Sequence, residues 1–180
     1  AVLRKFVTNW LDLPPLPSGS VAETLSVRYS HPLWLVKRLV EIVGEKEAEQ
    51  YLASNNAIVP TTVQTNTMKT EPKKLENALQ AVGAEVTPHP WLEGCFEVSG
   101  TGDLERMDLF RDGMFTVQDA AARLVAVIAQ PQPTDKVLDI CAAPGGKSFA
   151  LAIDMQDKGQ IVSCDIHPHK LKLIENGAQR

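Results

Sequence analysis

The sequence predicts an α/β chain: a small α+β unit, then the opening β-α-β-α of a parallel sheet with crossover helices. Three observations carry this. Residues 136–140 (KVLDI) form a short apolar run that enters a turn of small residues and then a helical segment. A second run at 160–164 is followed by a second helical segment at 168–179. Upstream, short strand-like pieces flank a helix whose Leu75, Leu79 and Val82 share one face. With 180 residues, 44% hydrophobic and 22% charged, the chain can bury a core as one large domain or two small ones. Disorder, collagen-like repeats and a disulfide-stapled miniature are excluded by composition.

In chain order, residues 2–10 read as the end of a helix, and the proline-rich run 13–20 breaks every regular pattern. Residues 1–29 are expected to be the tail of a preceding element plus a linker, so a portion before Ala1 is expected to be missing. From His31 the pattern is helical. Pro32 suits a first turn, Leu35, Leu39 and Ile42 recur at helical spacing, and Gly44 stops the run. Residues 45–54 predict a second helix, 61–65 a β-branched strand, and 71–82 a helix ending at Gly83. Strands are expected near 95–98 and 113–117. Asp119 can cap a helix carrying Ala122, Leu124, Val125 and Ile128, which Pro131 and Pro133 end. The parallel unit follows: strand 136–140, loop 141–147, helix 148–155, strand 160–164 and helix 168–179.

Charge and cysteine content narrow the function classes. Eighteen basic residues against twenty-two acidic ones give a net charge of −4, so any RNA surface has to be local. Three widely spaced cysteines, Cys95, Cys141 and Cys164, fit a reducing cytoplasm better than a disulfide framework. No run approaches eighteen apolar residues, no secretory leader is visible, and no Cys/His spacing suggests zinc. Neither a membrane nor a metal is expected, and no oligomer is implied.

The chemistry-bearing segment is residues 137–148 (VLDICAAPGGKS). Ala142, Ala143, Gly145 and Gly146 carry little or no side chain, so a ligand can approach the backbone. The helix that follows offers unpaired N–H groups and a positive dipole end. Asp165, nineteen residues after Gly146, stands where nucleotide-binding folds place the acceptor for ribose hydroxyls. A dinucleotide fingerprint, G-x-G-x-x-G, is absent. The phosphate-loop pattern G-x-x-x-x-G-K-S/T fails at its first glycine, which is Cys141 here. Asp139 beside the loop suits a cationic ligand group, so S-adenosylmethionine fits better and a triphosphate is the runner-up.

The run D-I-C-A-A-P-G-G-K with C-D-I at 164–166 resembles the cofactor motif of the Sun-type RNA (cytosine-5)-methyltransferases. The resemblance extends upstream to His31-Pro32-Leu33-Trp34-Leu35-Val36, to Asn66, Lys69 and Thr70, and to F-T-V-Q-D at 115–119. It implies a preceding-domain tail and linker at 1–29, a ferredoxin- or RRM-like α+β RNA-facing domain at 30–112, and the first half of a Rossmann-like methyltransferase domain at 113–180. It further implies that Cys141, Ala142, Ala143, Pro144, Gly145, Gly146 and Lys147 line the methionine end of S-adenosylmethionine, with Asp165 on the ribose and Asp139 shaping the cationic end. The implied substrate is a cytosine of ribosomal RNA, attacked at carbon-6 by a cysteine thiolate while a second cysteine assists release. The family's P-C-S-G-like and T-C-S-like cysteine segments do not occur here, so no catalytic residue is assigned and both cysteines are expected beyond residue 180. Gln64 stands where the family commonly has arginine, which weakens a phosphate contact there.

Two other function classes stay open: a phosphate-loop-like nucleotide-binding protein, and a non-catalytic RNA-binding module on a degenerate methyltransferase fold. Plainer readings apply to several residues. Cys164 is expected in the core, Cys95 in a structural role, Trp34 and Trp91 as core or staple residues rather than base-stacking platforms, and His31 at a helix start. His167 and His169 are expected at a solvated helix start rather than on a metal. Lys69, Lys73 and Lys74 read either as an RNA face or, diluted by Glu71 and Glu76, as an ordinary mixed surface.

Overall fold

A computed structural model of the chain describes residues 19–180 together with Arg4, Val7 and Thr8. The expected helix tail at 2–10 and the proline run lie largely outside the described residues. The chain separates into two compact units, Ala1–Val59 and Pro60–Arg180.

The first unit is helical. Residues expected to be linker form α1 (Val21–Arg28), started by a reciprocal cap: Ser20 accepts from the Glu23 N–H, and Glu23 accepts from the Ser20 N–H. Helices α2 (Leu33–Val43) and α3 (Glu45–Asn55) follow, divided by Gly44 at φ 86°. Ala22, Leu25, Val36 and Leu52 form the core between the three helices. His31 joins them as a structural residue. Its Nδ1 lies 2.6 Å from the Tyr29 carbonyl and must donate, leaving Nε2 to accept from Asn55 Nδ2 at 2.8 Å. Trp34 does not enter this core. It is 71% exposed, because the stripe that faces α1 and α3 runs through Leu33, Val36, Leu39 and Val40 instead.

The second unit begins with β1 (Thr61–Thr65), α4 (Pro72–Ala81), β2 (Glu85–Pro88) and β3 (Cys95–Ser99). A short α5 (Asp108–Arg111) and β4 (Phe115–Val117) follow. The four strands form an antiparallel sheet in the order β2-β3-β1-β4. Strand β4, grouped by sequence with the second half, is thus a member of the first sheet, pairing Gln64 with Thr116 and Thr65 with Phe115. One face carries Val63, Phe96, Val98 and Phe115 against Leu75 and Leu79 of α4. The alternation of side chains turns Thr62, Gln64, Thr116 and Cys95 to the other face. Trp91, in the β2–β3 loop, is exposed and packs its ring edge-on to the buried His89 at 4.8 Å.

The parallel part comprises α6 (Ala120–Ala129), β5 (Lys136–Asp139), α7 (Gly146–Asp154), β6 (Gln160–Ser163) and α8 (Pro168–Gln179). Asp119 caps α6 by accepting from Ala121 and Ala122 N–H. Gln130 ends it in a left-handed conformation. Strands β5 and β6 pair in parallel, Val137 with Ile161 and Asp139 with Ser163. Val137 and Ile161 pack on Ala126, Ala150 and Leu151, so α6 and α7 cover one face. The other face leaves Leu138, Ile140, Val162 and Cys164 exposed. That corrects the expectation that Cys164 is a core residue: the period of two places it with Leu138 and Val162, away from α7. Among the described residues no helix is long and apolar enough to cross a membrane.

Candidate cofactor site

The turn between β5 and α7 is held by its own main chain. Cys164 N–H donates to the Asp139 carbonyl at 2.7 Å, and Ala142 N–H to the Cys164 carbonyl at 2.9 Å, which carries the strand pairing one step past the strands. Gly145 N–H then closes onto the Ala142 carbonyl at 2.7 Å. The Ala143–Pro144 peptide is cis. Helix α7 begins at Gly146, two residues before the expected Ser148, because Gly145 supplies the positive φ (112°) that lets the chain turn into it.

Two carboxylates brace this turn from below and from the side. Asp139 accepts from Cys141 N–H at 3.3 Å and from Ser148 Oγ at 2.8 Å, and Ser148 is 2.8 Å from Ser163 Oγ. Asp139 therefore ties β5, β6 and α7 together, each of its oxygens accepting one of these bonds. Asp165 accepts from His167 N–H at 2.9 Å through Oδ1 and from Ala143 N–H at 3.3 Å through Oδ2. The His167 N–H holds the Asp165 carboxyl below its ordinary range. Ala143 N–H and the nearby Lys170 act in the same direction.

All the sequence-assigned residues are thus brought together: the turn 141–147 lies against the Asp165 carboxylate. Cys141, Pro144 and Lys147 are exposed, Ala142 and Gly145 buried, Ala143 and Gly146 half-buried. One expectation needs refining. The bare face of Gly145 is not open to a ligand, since a Cβ there would stand 2.3 Å from Cζ of Phe149. Gly146 is different, with only ordinary contacts to Gln118 at 3.5 Å and beyond. A cleft of about 350 Å³ opens on the α8 side of Gly146, lined among others by Phe110, Val117, Pro144, Phe149, Leu173 and Arg180, and Asp165 does not line it.

The committed N–H groups decide what the turn can hold. A phosphate cradle needs successive main-chain N–H groups converging on one anion. Here those of Cys141, Ala142, Ala143 and Gly145 are spent on internal acceptors, and Pro144 has none. What remains is an anionic, half-buried Asp165 suited to hydroxyl donors, and the free first-turn N–H groups of α7 suited to an anionic group. That donor set fits the ribose diol and aminoacyl tail of S-adenosylmethionine.

Sequence reasoning passed over Ser148, Ser163 and Gln118. The serines were legible only as a small residue opening a helix and a small residue ending a strand. Gln118 was visible only as the neighbour of the Asp119 cap. Cys95 does not have the setting of a nucleophile. Cys95 is buried and its thiol is pushed up by that burial, against the opposing pull of Arg123. Cys141 and Cys164 stand at the turn, their main chains engaged in its bonds. Lys69 donates to the Asp112 carbonyl, while Lys73 and Lys74 pair with Glu76 and Glu71, as a mixed surface would. Among the described residues no group of three His, Cys, Asp or Glu could hold a metal.

Comparison with known proteins matches residues 31–105 to the ferredoxin-like domain of RsmF/B-like methyltransferases, and residues 126–180 to the 16S rRNA methyltransferase RsmB/F family model. The chain is 35% identical over 156 residues to the probable ribosomal RNA small subunit methyltransferase B of Bacillus subtilis (strain 168), covering 87% of the chain and 35% of that protein. It spans about a third of the length of the curated relatives it matches. The crystal structure of PH0851 superposes with a TM-score of 0.84 at 26% identity, covering 97% of this chain and 39% of that one. NSun6 from Pyrococcus horikoshii, solved with SFG, shares the fold with a TM-score of 0.76 at 16% identity, covering 82% of this chain and 62% of that one.

Proposed function

Because this chain belongs to the RsmB/F family of methyltransferases, we propose that it supplies the ferredoxin-like domain and the cofactor-binding turn of an enzyme that methylates carbon-5 of a cytosine in ribosomal RNA. The observation that carries the cofactor assignment is the Asp165 carboxylate set against a turn whose N–H groups are already committed. Asp165 binds the ribose hydroxyls. Its oxygens keep lone pairs beyond the two main-chain donors they accept from. The residues 141–147 line the aminoacyl end, with the first turn of α7 facing its carboxylate. S-adenosylmethionine supplies an electrophilic methyl group on its sulfonium. The nucleophilic cysteine is none of Cys95, Cys141 and Cys164, and lies in a further part of the enzyme. The RNA reading rests on the family of the chain. It is favoured over a nucleotide hydrolase by the commitment of the Cys141, Ala142, Ala143 and Gly145 N–H groups to internal acceptors and by Cys141 standing at the first glycine of the phosphate-loop pattern.

Parallel calorimetric titration of the full-length protein with S-adenosylhomocysteine and ATP tests this, with binding expected for the first and not the second. Asp165→Ala should weaken S-adenosylhomocysteine by roughly tenfold, the worth of about one charge-assisted hydrogen bond. The pH dependence has a definite sign. The folded-state pKa of Asp165 is depressed, so its charge, and with it its contribution to binding, should be lost at a lower pH than an ordinary aspartate's would be. Tight ATP binding, or an Asp165→Ala protein with unchanged affinity, would remove the basis of the assignment.

A further inference from the structure

We propose that Ser163 is a positioning residue for the cofactor turn, acting through Ser148 and Asp139 rather than by touching the ligand; this rests on the cofactor reading above. Ser148 has a single hydroxyl proton, and a carboxylate can only accept. The 2.8 Å bond from Ser148 Oγ to Asp139 Oδ2 uses that proton. The other bond of Ser148, 2.8 Å to Ser163 Oγ, must then be donated by Ser163. The three side chains thus form a relay with one direction, from Ser163 to Ser148 to Asp139. The second oxygen of Asp139 accepts the N–H of Cys141 at 3.3 Å, so the relay ends on the first residue of the turn.

The fold makes this relay stiff. Asp139 and Ser163 are direct partners in the parallel register, so their side chains share the sheet face on which α7 lies. Ser148 reaches down from the first turn of α7 and is 4% exposed, so water cannot readily replace a partner it loses. A hydroxyl that accepts a hydrogen bond is also a stronger donor, and the proton of Ser163 therefore strengthens the hold of Ser148 on Asp139. Ser163 stands two residues before Asp165, on the strand that leads to the ribose acceptor. Asp165 takes its own bonds from Ala143 and His167 N–H, outside the relay. The relay accordingly sets the start of the turn, and with it the aminoacyl end of the site, against a ribose end that is fixed separately.

Two nucleosides, titrated by calorimetry into the full-length protein, separate the two ends. S-adenosylhomocysteine has the aminoacyl group, and 5′-methylthioadenosine lacks it. Ser148→Ala should weaken S-adenosylhomocysteine roughly tenfold and leave 5′-methylthioadenosine within about twofold, since one hydrogen bond to a charged group is lost at the aminoacyl end. Ser163→Ala should show the same selectivity with a smaller loss, about threefold, because Ser148 keeps its own bond to Asp139. Ser163→Thr, which retains the hydroxyl and suits a strand, should restore the binding. In a Ser148→Ala background, Ser163→Ala should add no further loss, because the residue it acts through is gone. Equal losses for both nucleosides in the serine variants, no loss for either, a loss that Ser163→Thr fails to restore, or additive losses in the double variant would overturn the proposal. A wild-type protein that binds neither nucleoside, or an Asp165→Ala variant, altered at the shared ribose, that is unchanged toward both, would instead defeat the underlying cofactor assignment.

Discussion

Asp154→Ala is expected to destabilise the Pro60–Arg180 unit by about 3–5 kcal/mol, read from denaturant unfolding, because it strands a buried guanidinium. Arg123 projects from α6 and meets the Asp154 carboxylate at the end of α7 through two parallel bonds, at 2.5 and 2.9 Å. Both side chains are well covered, at 11% and 24% exposure. Burial works against the charge of Arg123, but the bonds to Asp154 and its carboxylate charge outweigh it and hold the guanidinium above its usual range. Its Nε has no partner, so little else compensates if Asp154 is removed. Cys95 of β3 is near enough to the same guanidinium for its charge to oppose the upward push of burial on the thiol, so the arginine stands between the four-stranded sheet and α6 and α7. Asp154→Asn, which keeps an acceptor and loses the charge, should cost distinctly less than the alanine variant. Equal losses would show that packing rather than pairing matters here. The exposed pair Arg38–Glu41 is the control, and breaking it should cost under about 1 kcal/mol.

How much of this was legible in the sequence depends on whether the signal was local. Helix α8 runs over Pro168–Gln179 as its pattern predicts, and β1 over Thr61–Thr65, since a proline start and a β-branched run act on the chain itself. The order of strand, turn, helix, strand and acid around Asp139 and Asp165 was legible for the same reason. Three features were not. Helix α1 carries a readable Ser20-x-x-Glu23 signature, but the prolines before it outweighed that signal. Strand β4 is followed at once by α6, yet it pairs with β1 some fifty residues earlier, and pairing partners are not a local property. The exposures of Trp34, Trp91 and Cys164 depend on which neighbour covers which face, which side-chain type does not encode. At the site, the residue types were read correctly as small and polar. How they brace the turn is a matter of tertiary hydrogen bonding, since Asp139 and Asp165 each accept from one of its N–H groups.

The two glycines of the turn should respond oppositely to the same substitution. Gly145→Ala meets two obstacles at once. Its φ of 112° is costly for any L residue, about 1–3 kcal/mol, and its Cβ would overlap the Phe149 ring, another ~1–3 kcal/mol of overpacking. Gly177 of α8 meets the same Cζ–Cε2 end of that ring, with a Cβ position 2.4 Å away, so the ring tip is closely packed by two glycines. The strained φ should shift the turn, breaking the Ala143–Asp165 bond and with it nucleoside binding. Gly146→Ala, in helical geometry with only Gln118 nearby, should fold within about 1 kcal/mol of the native chain. Its added methyl would nevertheless sit where the aminoacyl group is expected, so it should weaken S-adenosylhomocysteine while sparing 5′-methylthioadenosine. Combining Gly145→Ala with Phe149→Ala separates the two obstacles. Recovery of stability in the double variant would assign the cost to the ring, whereas no recovery would assign it to the backbone. If Gly145→Ala is tolerated in the native Phe149 background, the turn is looser than its bonds imply, and Asp165 is not held where the ribose needs it.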